Sequence, residues 1–164
     1  MTFSDRMASA KVFESDLIDR LNSMGWRAWP FGQGLLPEEC RNALKRFRDD
    51  QGNPSLIRWM PDILAVKTIG HGSSVALIDA KKSNADYSSY TIEIKAVETM
   101  EIYAKHLFTP TFFVFDDYRV LTPSNARALG VAGPPPKFGS GTPYILVQKL
   151  FSQPMEDVFN AVAP

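Results

Sequence analysis

Two stretches of the chain carry apolar residues at the three-to-four-residue spacing that is typical of an amphipathic helix. The first covers residues 9–24 and is closed by Gly25, and the second covers residues 91–107 and is prevented from continuing by Pro110. A shorter helix is predicted to begin at Pro37, and a C-terminal helix is predicted over residues 155–162.

Stretches rich in Ile, Leu, Val and Phe separate these helices and are typical of strands. Residues 55–66 and 74–80 flank a glycine-containing turn, so we predict an antiparallel hairpin. The continuous apolar run over residues 111–115 predicts a strand that is buried on both faces and lies beside the hairpin. Further strands are predicted over residues 26–31 and 144–150. Helices and strands therefore alternate, which favours an α/β fold.

Composition narrows the class of protein. The chain has 164 residues, of which 45% are hydrophobic and 22% are charged, and we expect one globular domain over residues 1–164. The single cysteine, Cys40, excludes an internal disulfide framework and a cysteine-rich zinc site. No apolar run approaches the roughly 18 residues of a membrane span, and no signal-peptide core is present, so we expect a cytoplasmic protein with no membrane partner.

Two carboxylates and one lysine are predicted to meet at neighbouring strand ends. Asp62 follows Pro61 in the first half of the hairpin, and Asp79 lies near the end of the second half. Side chains alternate along a strand, so Lys81 projects from the same face as Asp79. This trio suits metal-assisted phosphodiester hydrolysis, because carboxylates bind a hard divalent cation and the cation lowers the pKa of water. The alternative is a solvated ion pair of little consequence.

These residues resemble the PD-(D/E)XK nuclease superfamily. The resemblance rests on Glu14, Pro61-Asp62, Asp79-Ala80-Lys81 and the amphipathic helix that follows, and it covers about residues 8–116. It implies a mixed central sheet flanked by helices, to which residues 117–164 add a Pro/Gly-rich loop, a strand and a helix. It also implies that Asp62, Asp79, Glu14 and the Ala80 carbonyl bind Mg²⁺, for which Mn²⁺ substitutes, and that Lys81 assists the nucleophile. Glu14 shares its helix with other acids, so a solvated acidic face is the alternative for it.

Affinity for nucleic acid must come from local patches, because 18 Lys and Arg residues balance 18 Asp and Glu residues. Contacts with a phosphate backbone are predicted for basic residues in the second helix, around the acidic motif and in the loop of residues 130–141. They are Arg41, Lys45, Arg46, Arg48, Arg58, Lys82, Lys95 and Lys137. Solvation without a ligand is the alternative for this set.

The sequence therefore predicts a Mg²⁺-dependent DNA endonuclease that uses metal-activated water and no nucleotide cofactor. The small size and the lack of a sequence-reading domain favour cleavage of branched DNA, as by a Holliday-junction resolvase. A phage or mobile-element enzyme in the host cytoplasm would fit, and symmetric cutting of two strands predicts a homodimer. Two alternatives stay open: a catalytically inactive nuclease-like module that binds nucleic acid or protein, and a ribonuclease on the same scaffold.

Overall fold

Nine strands occur in the residues that the computed structural model describes, which are 3–83, 85–134 and 142–161. Six of them form a mixed central sheet, and the other three form a small antiparallel sheet. In chain order they are β1 (Arg27–Pro30), β2 (Ile63–Ile69), β3 (Gly72–Lys81), β4 (Ser89–Glu93), β5 (Thr111–Phe115), β6 (Arg119–Leu121), β7 (Val131–Ala132), β8 (Tyr144–Gln148) and β9 (Gln153–Pro154). The central sheet has the order β1-β2-β3-β5-β6-β9, and the small sheet has the order β4-β8-β7.

Five α-helices accompany these strands in the described part of the chain. They are α1 (Phe3–Ser23), α2 (Glu38–Arg46), α3 (Ile94–Leu107), α4 (Pro123–Leu129) and α5 (Met155–Ala161). The predicted class, an α/β fold with a mixed central sheet flanked by helices, is confirmed. Among the helices described, none is long and apolar enough to cross a lipid bilayer.

The central sheet separates two hydrophobic cores. Along β5, Phe112 and Val114 face the core that contains α1 and α5, whereas Phe113 and Phe115 face the core that contains α3 and α4. Every residue of β5 is buried, because alternate side chains enter opposite cores. Each fully buried large apolar side chain stabilises the fold by about 1.5–3 kcal/mol. The sheet is thus fixed from both faces.

The β2–β3 hairpin and the crossover to β5 position the ends of the strands. Ile63 pairs with Ile78 and Ile69 with Gly72, and Gly70 in the connecting turn has a φ of 59°, which favours glycine. From β3 the chain passes through α3 and returns as β5 in parallel, so that Asp79 lies beside Phe113. The predicted neighbours in this part of the sheet are therefore present.

Several predicted boundaries are wrong: α1 begins at Phe3 and not at residue 9, and two further differences have a clear structural cause. The strand predicted over residues 55–66 begins only at Ile63, because Leu56–Trp59 forms a 3-10 turn in which the Ser55 hydroxyl accepts a hydrogen bond from the Ile57 N–H. The helix predicted over residues 91–107 begins at Ile94, because Ser89–Glu93 pairs with β8 as strand β4. In both places apolar residues suggested one element where tertiary contacts impose another.

The segment after residue 116 contributes more structure than its pattern suggests. Strands β6 and β9 extend the central sheet, and β7 lies within residues 130–141, which were predicted to be irregular. These strands contain only two or three residues each, so they carry no readable periodicity and depend on pairing with their neighbours. The predicted late strand and C-terminal helix are present as β8 and α5.

Candidate active site

The backbone of Asp62 connects three strands at one edge of the hairpin. Its N–H donates to the Ile78 carbonyl at 2.8 Å, and its carbonyl accepts the Phe31 N–H at 2.6 Å. Asp62 directly precedes β2, Ile78 lies in β3 and Phe31 directly follows β1. The Asp62 side chain is therefore held where β1 ends, β2 begins and β3 approaches its own end.

The predicted trio of side chains lies together at this position. The Asp62 Oδ2 atom accepts the Ala80 N–H at 2.9 Å. The Lys81 Nζ atom lies 2.7 Å from the Asp79 Oδ1 atom, and the two side chains retain 28% and 6% of their exposure respectively. Asp79 and Lys81 thus share a face, as the two-residue period of a strand requires. A pair that is this buried is not the solvated surface pair that the sequence left open.

The site carries more negative than positive charge. Burial, the neighbouring charge of Asp79 and a hydrogen bond with it together raise the pKa of Asp62 to about 8, although the charge of Lys81 opposes the shift. Burial lowers the pKa of Lys81, but attraction by Asp79 and Asp62 outweighs it, so the pKa of Lys81 is raised overall. Without a further cation, Asp62 therefore keeps a proton near neutral pH, and a second positive charge would be favourable at this point.

Glu14 approaches the site from α1. Its side chain is half-buried, and together with Asp62 it lines a groove with a volume of about 660 Å³. Burial raises the pKa of Glu14; Lys11 opposes that shift, and Asp79 adds to it. Within the ranges 3–83, 85–134 and 142–161, however, no three His, Cys, Asp or Glu side chains lie close enough together to hold a metal ion by themselves.

Glu93 is a further acidic residue at the site, and the sequence did not single it out. It ends β4, its Oε2 atom accepts the Trp59 indole N–H at 2.7 Å, and its charge contributes to raising the pKa of Lys81. The helix predicted over residues 91–107 includes Glu93. Because β4 pairs with β8, Glu93 ends a strand and lies near Lys81. No local sequence pattern predicts this pairing.

The oxygen atoms at the site fit a hard divalent cation. Mg²⁺ prefers oxygen ligands, keeps several waters and is commonly bound in proteins by one or two carboxylates together with substrate phosphates. Asp62 and Asp79 supply two carboxylates on neighbouring strands, and the raised pKa of Asp62 indicates that positive charge is lacking there. A cation that replaced the retained proton would relieve the repulsion between the two acids.

The predicted phosphate-binding residues differ in their surroundings. Arg41 and Lys45 lie one turn apart on α2 and line the groove beside Asp62. The others are distributed over the surface or bound to neighbouring groups. Arg46 is exposed on α2, Arg48 donates to the Lys45 and Phe47 carbonyls, Arg58 lies over the Trp59 ring, Lys82 pairs with Asp116, and Lys95 pairs with Glu98. Lys137 lies outside the described residues.

Comparison with known proteins identifies a structural neighbour. No protein-family model matches the chain, and no curated protein matches it. Among solved structures, the chain is similar to Hjc, a Holliday junction resolvase from the archaeal hyperthermophile Archaeoglobus fulgidus, with a TM-score of 0.56 over 95% of this chain and 99% of the resolvase. The two proteins share a fold. Their sequences are 12% identical, so the likeness to Hjc concerns the architecture and not the side chains.

Proposed function

We propose that this protein is a Mg²⁺-dependent nuclease that hydrolyses phosphodiester bonds in DNA. The observation that carries the proposal is the group of Asp62, Asp79 and Lys81 at the end of the β2–β3 hairpin, with the Lys81 ammonium 2.7 Å from Asp79. The likeness of the fold to Hjc supports the same class of reaction.

Each side chain has a distinct role in this proposal. Asp62, Asp79 and the Ala80 carbonyl would hold the cation, and Glu14 would add an acidic group from α1. When bound, Mg²⁺ would offset the negative charge of the phosphate and lower the pKa of a bound water, so that hydroxide is available to attack the phosphorus atom. Lys81 is held by Asp79 and places its ammonium where negative charge develops on the phosphate, which stabilises the transition state.

Branched DNA is the substrate class that we propose for this site. Hjc is a Holliday junction resolvase, and this chain matches it over nearly the full length of both proteins. Resolution of a junction requires cuts in two strands, so two copies of the site are needed and we propose a homodimer. Light scattering coupled to size-exclusion chromatography tests the dimer directly.

The test of the function is cleavage of labelled duplex, four-way and forked DNA, and of labelled RNA, with and without Mg²⁺. We expect cleavage that requires the metal, and Asp79→Asn is expected to reduce its rate by at least about a hundredfold. Asp19→Asn, which alters an exposed acid on α1, is the matched control and should retain the rate. Equal rates for Asp79→Asn and the unaltered protein would exclude this site, and cleavage of RNA but not DNA would redirect the proposal to a ribonuclease.

Metal binding is measured separately by calorimetric titration of Mn²⁺ into the protein. We expect binding that is lost in Asp79→Asn and retained in Asp19→Asn. Binding that persists in Asp79→Asn would place the metal elsewhere, whatever the result of the cleavage assay.

A further inference from the structure

The groove beside the candidate active site is a substantial feature of the surface. It has a volume of about 660 Å³ and runs from Asp62 and Glu14, between α1 on one side and the 3-10 turn Gly32–Leu35 with α2 on the other. Sites of roughly 300–1,000 Å³ accept a single small molecule or a segment of about one or two nucleotides.

The wall formed by the 3-10 turn is fixed to the active-site backbone. Gly32 has a φ of 78°, and a Cβ atom at this position would lie 2.3 Å from the Pro61 carbonyl oxygen. The backbone thus approaches Pro61 so closely that only glycine fits. The Phe31 N–H donates to the Asp62 carbonyl, and the Gln33 side-chain amide donates to the Ile57 carbonyl. This wall is therefore preorganised relative to the carboxylates.

The groove combines basic and apolar side chains. Lys11 on α1 and Arg41 with Lys45 on α2 place positive charge on both walls. Three acids also line the groove: Glu14 and Asp62 at the proposed cation site, and Glu38 at the start of α2. Between the two walls lie Phe31, which is half-buried, and Leu35, which retains 62% of its exposure. Grooves that bind single strands combine these features, because cations track the phosphates while bases stack on apolar or aromatic side chains.

We propose that this groove binds an unpaired strand of the DNA substrate next to the bond that is cut. The phosphates of that strand lie toward Lys11, Arg41 and Lys45, and its bases lie against Phe31 and Leu35. This inference rests on the proposed nuclease function and narrows its substrate: forks and flaps with a single-stranded arm bind more tightly than fully paired junctions.

The deciding experiment measures the affinity of the protein for a fluorescent oligodeoxythymidine of about eight nucleotides, by anisotropy in Ca²⁺. Leu35→Glu introduces negative charge into the groove and is expected to weaken binding by about tenfold or more. The matched control is Leu150→Glu, which alters a leucine in another 3-10 turn that retains 71% of its exposure and should leave binding unchanged. Fully paired duplex of equal length is titrated in parallel.

A second pair of variants guards against a folding defect in Leu35→Glu. Lys11→Glu reverses an exposed charge on the opposite wall, and Lys105→Glu reverses an exposed charge on α3 as its control. Weakened oligonucleotide binding in Lys11→Glu, with duplex binding and the control unaffected, supports the groove. Equal losses for oligonucleotide and duplex, or no loss in either groove variant, would overturn it.

The same variants separate this inference from the nuclease proposal. If the unaltered protein cuts DNA but the groove variants bind the oligonucleotide normally, the groove assignment fails and the nuclease proposal stands. If the protein cuts no nucleic acid but Leu35→Glu and Lys11→Glu still weaken oligonucleotide binding, the nuclease proposal fails and the strand-binding groove stands.

Discussion

Lys81 at the end of β3 and Lys82 directly after it each form an ion pair, and the carboxyl groups around the two lysines differ in their pKa values. Lys81 binds Asp79 beside a second acid, Asp62. The pKa of Asp62 is raised to about 8 by burial and by the charge of Asp79. Lys82 lies 3.0 Å from Asp116, which also accepts hydrogen bonds from the Ser83 N–H at 2.8 Å and the Ser83 hydroxyl at 2.5 Å. Burial raises the pKa of Asp116, but these partners outweigh it and lower the pKa overall.

The contrast distinguishes Asp116, whose carboxylate stabilises the fold, from Asp62, whose carboxyl group is suited to bind a cation. Asp116 has its negative charge matched by a lysine and two donors, so it stabilises the turn after β5. Asp62 has one backbone donor and lies among further acids, so its ionised form is disfavoured until a cation arrives. Carboxyl groups with perturbed pKa values are concentrated at functional sites.

Substitution of each lysine by methionine gives the largest expected difference. In the proposed mechanism Lys81→Met removes the ammonium that faces the substrate phosphate, and it should lower kcat for DNA cleavage by about a hundredfold to a thousandfold. Lys82→Met removes one exposed cation, and its effect should be less than about tenfold, mainly through KM and its dependence on salt. Steady-state kinetics at two salt concentrations separates these effects. Similar losses of kcat in both variants would show that Lys81 has no special role compared with Lys82.

Asp116→Asn tests the structural member of the pair. Loss of the charge should lower the free energy of unfolding by about 1–3 kcal/mol at neutral pH, because the charged hydrogen bonds with Ser83 and Lys82 are weakened. The folded-state pKa of Asp116 lies below 3.8, so its stabilisation is present above that pH and is lost as the pH falls through the folded-state pKa. Urea unfolding between about pH 7 and about pH 3 should therefore show the difference shrinking in acid. A difference that is constant over this range would mean that the charge of Asp116 does not contribute.

The parts of the fold that the sequence predicted are those with strong local patterns. The spacing before Gly25 has the period of a helix, and the apolar run of β5 is too short for a typical helix and suits a buried strand. Leu56 and Ile57 misled the strand prediction, because these apolar residues lie exposed in a 3-10 turn and do not pair. Strands β6 and β9 exist through hydrogen bonds to each other and to β5, which no local pattern encodes.

The same distinction applies to the candidate site. The spacing of Asp79 and Lys81 is local, so alternation along a strand was sufficient to place both on one face. The contact between Trp59 and Glu93 joins residues that are 34 positions apart, and it depends on where β4 ends. The groove likewise requires α1, the turn at Gly32 and α2 to meet, so the sequence predicted basic residues on α2 without predicting what they line.

Asp62→Asn should change stability in the opposite direction to Asp116→Asn. An asparagine retains an oxygen that accepts the Ala80 N–H, and it is neutral without taking up the proton that Asp62 must bind on folding near neutral pH, so the protein without metal should gain about 1 kcal/mol. Mg²⁺ at ten times its dissociation constant should stabilise the unaltered protein by about 1.4 kcal/mol and leave Asp62→Asn unaffected. Thermal unfolding with and without Mg²⁺ measures both effects. If Asp62→Asn is less stable than the unaltered protein without metal, Asp62 stabilises the fold, as Asp116 does.

The smallest predicted effect concerns Glu93. Its carboxylate accepts a hydrogen bond from Trp59, as a structural residue would, and its charge also raises the pKa of Lys81. Glu93→Gln retains an acceptor for the Trp59 indole N–H but removes the charge that attracts the Lys81 ammonium. If Glu93 positions Lys81, kcat should fall by about twofold to fivefold while KM is unchanged, because a positioning residue acts through Lys81 and not on the substrate. Glu101→Gln, which alters an acid paired with Arg127 elsewhere on α3, is the control and should not change kcat. A loss confined to KM would instead indicate that Glu93 acts on substrate binding, and the orientation of Lys81 would then depend on Asp79 and Asp62.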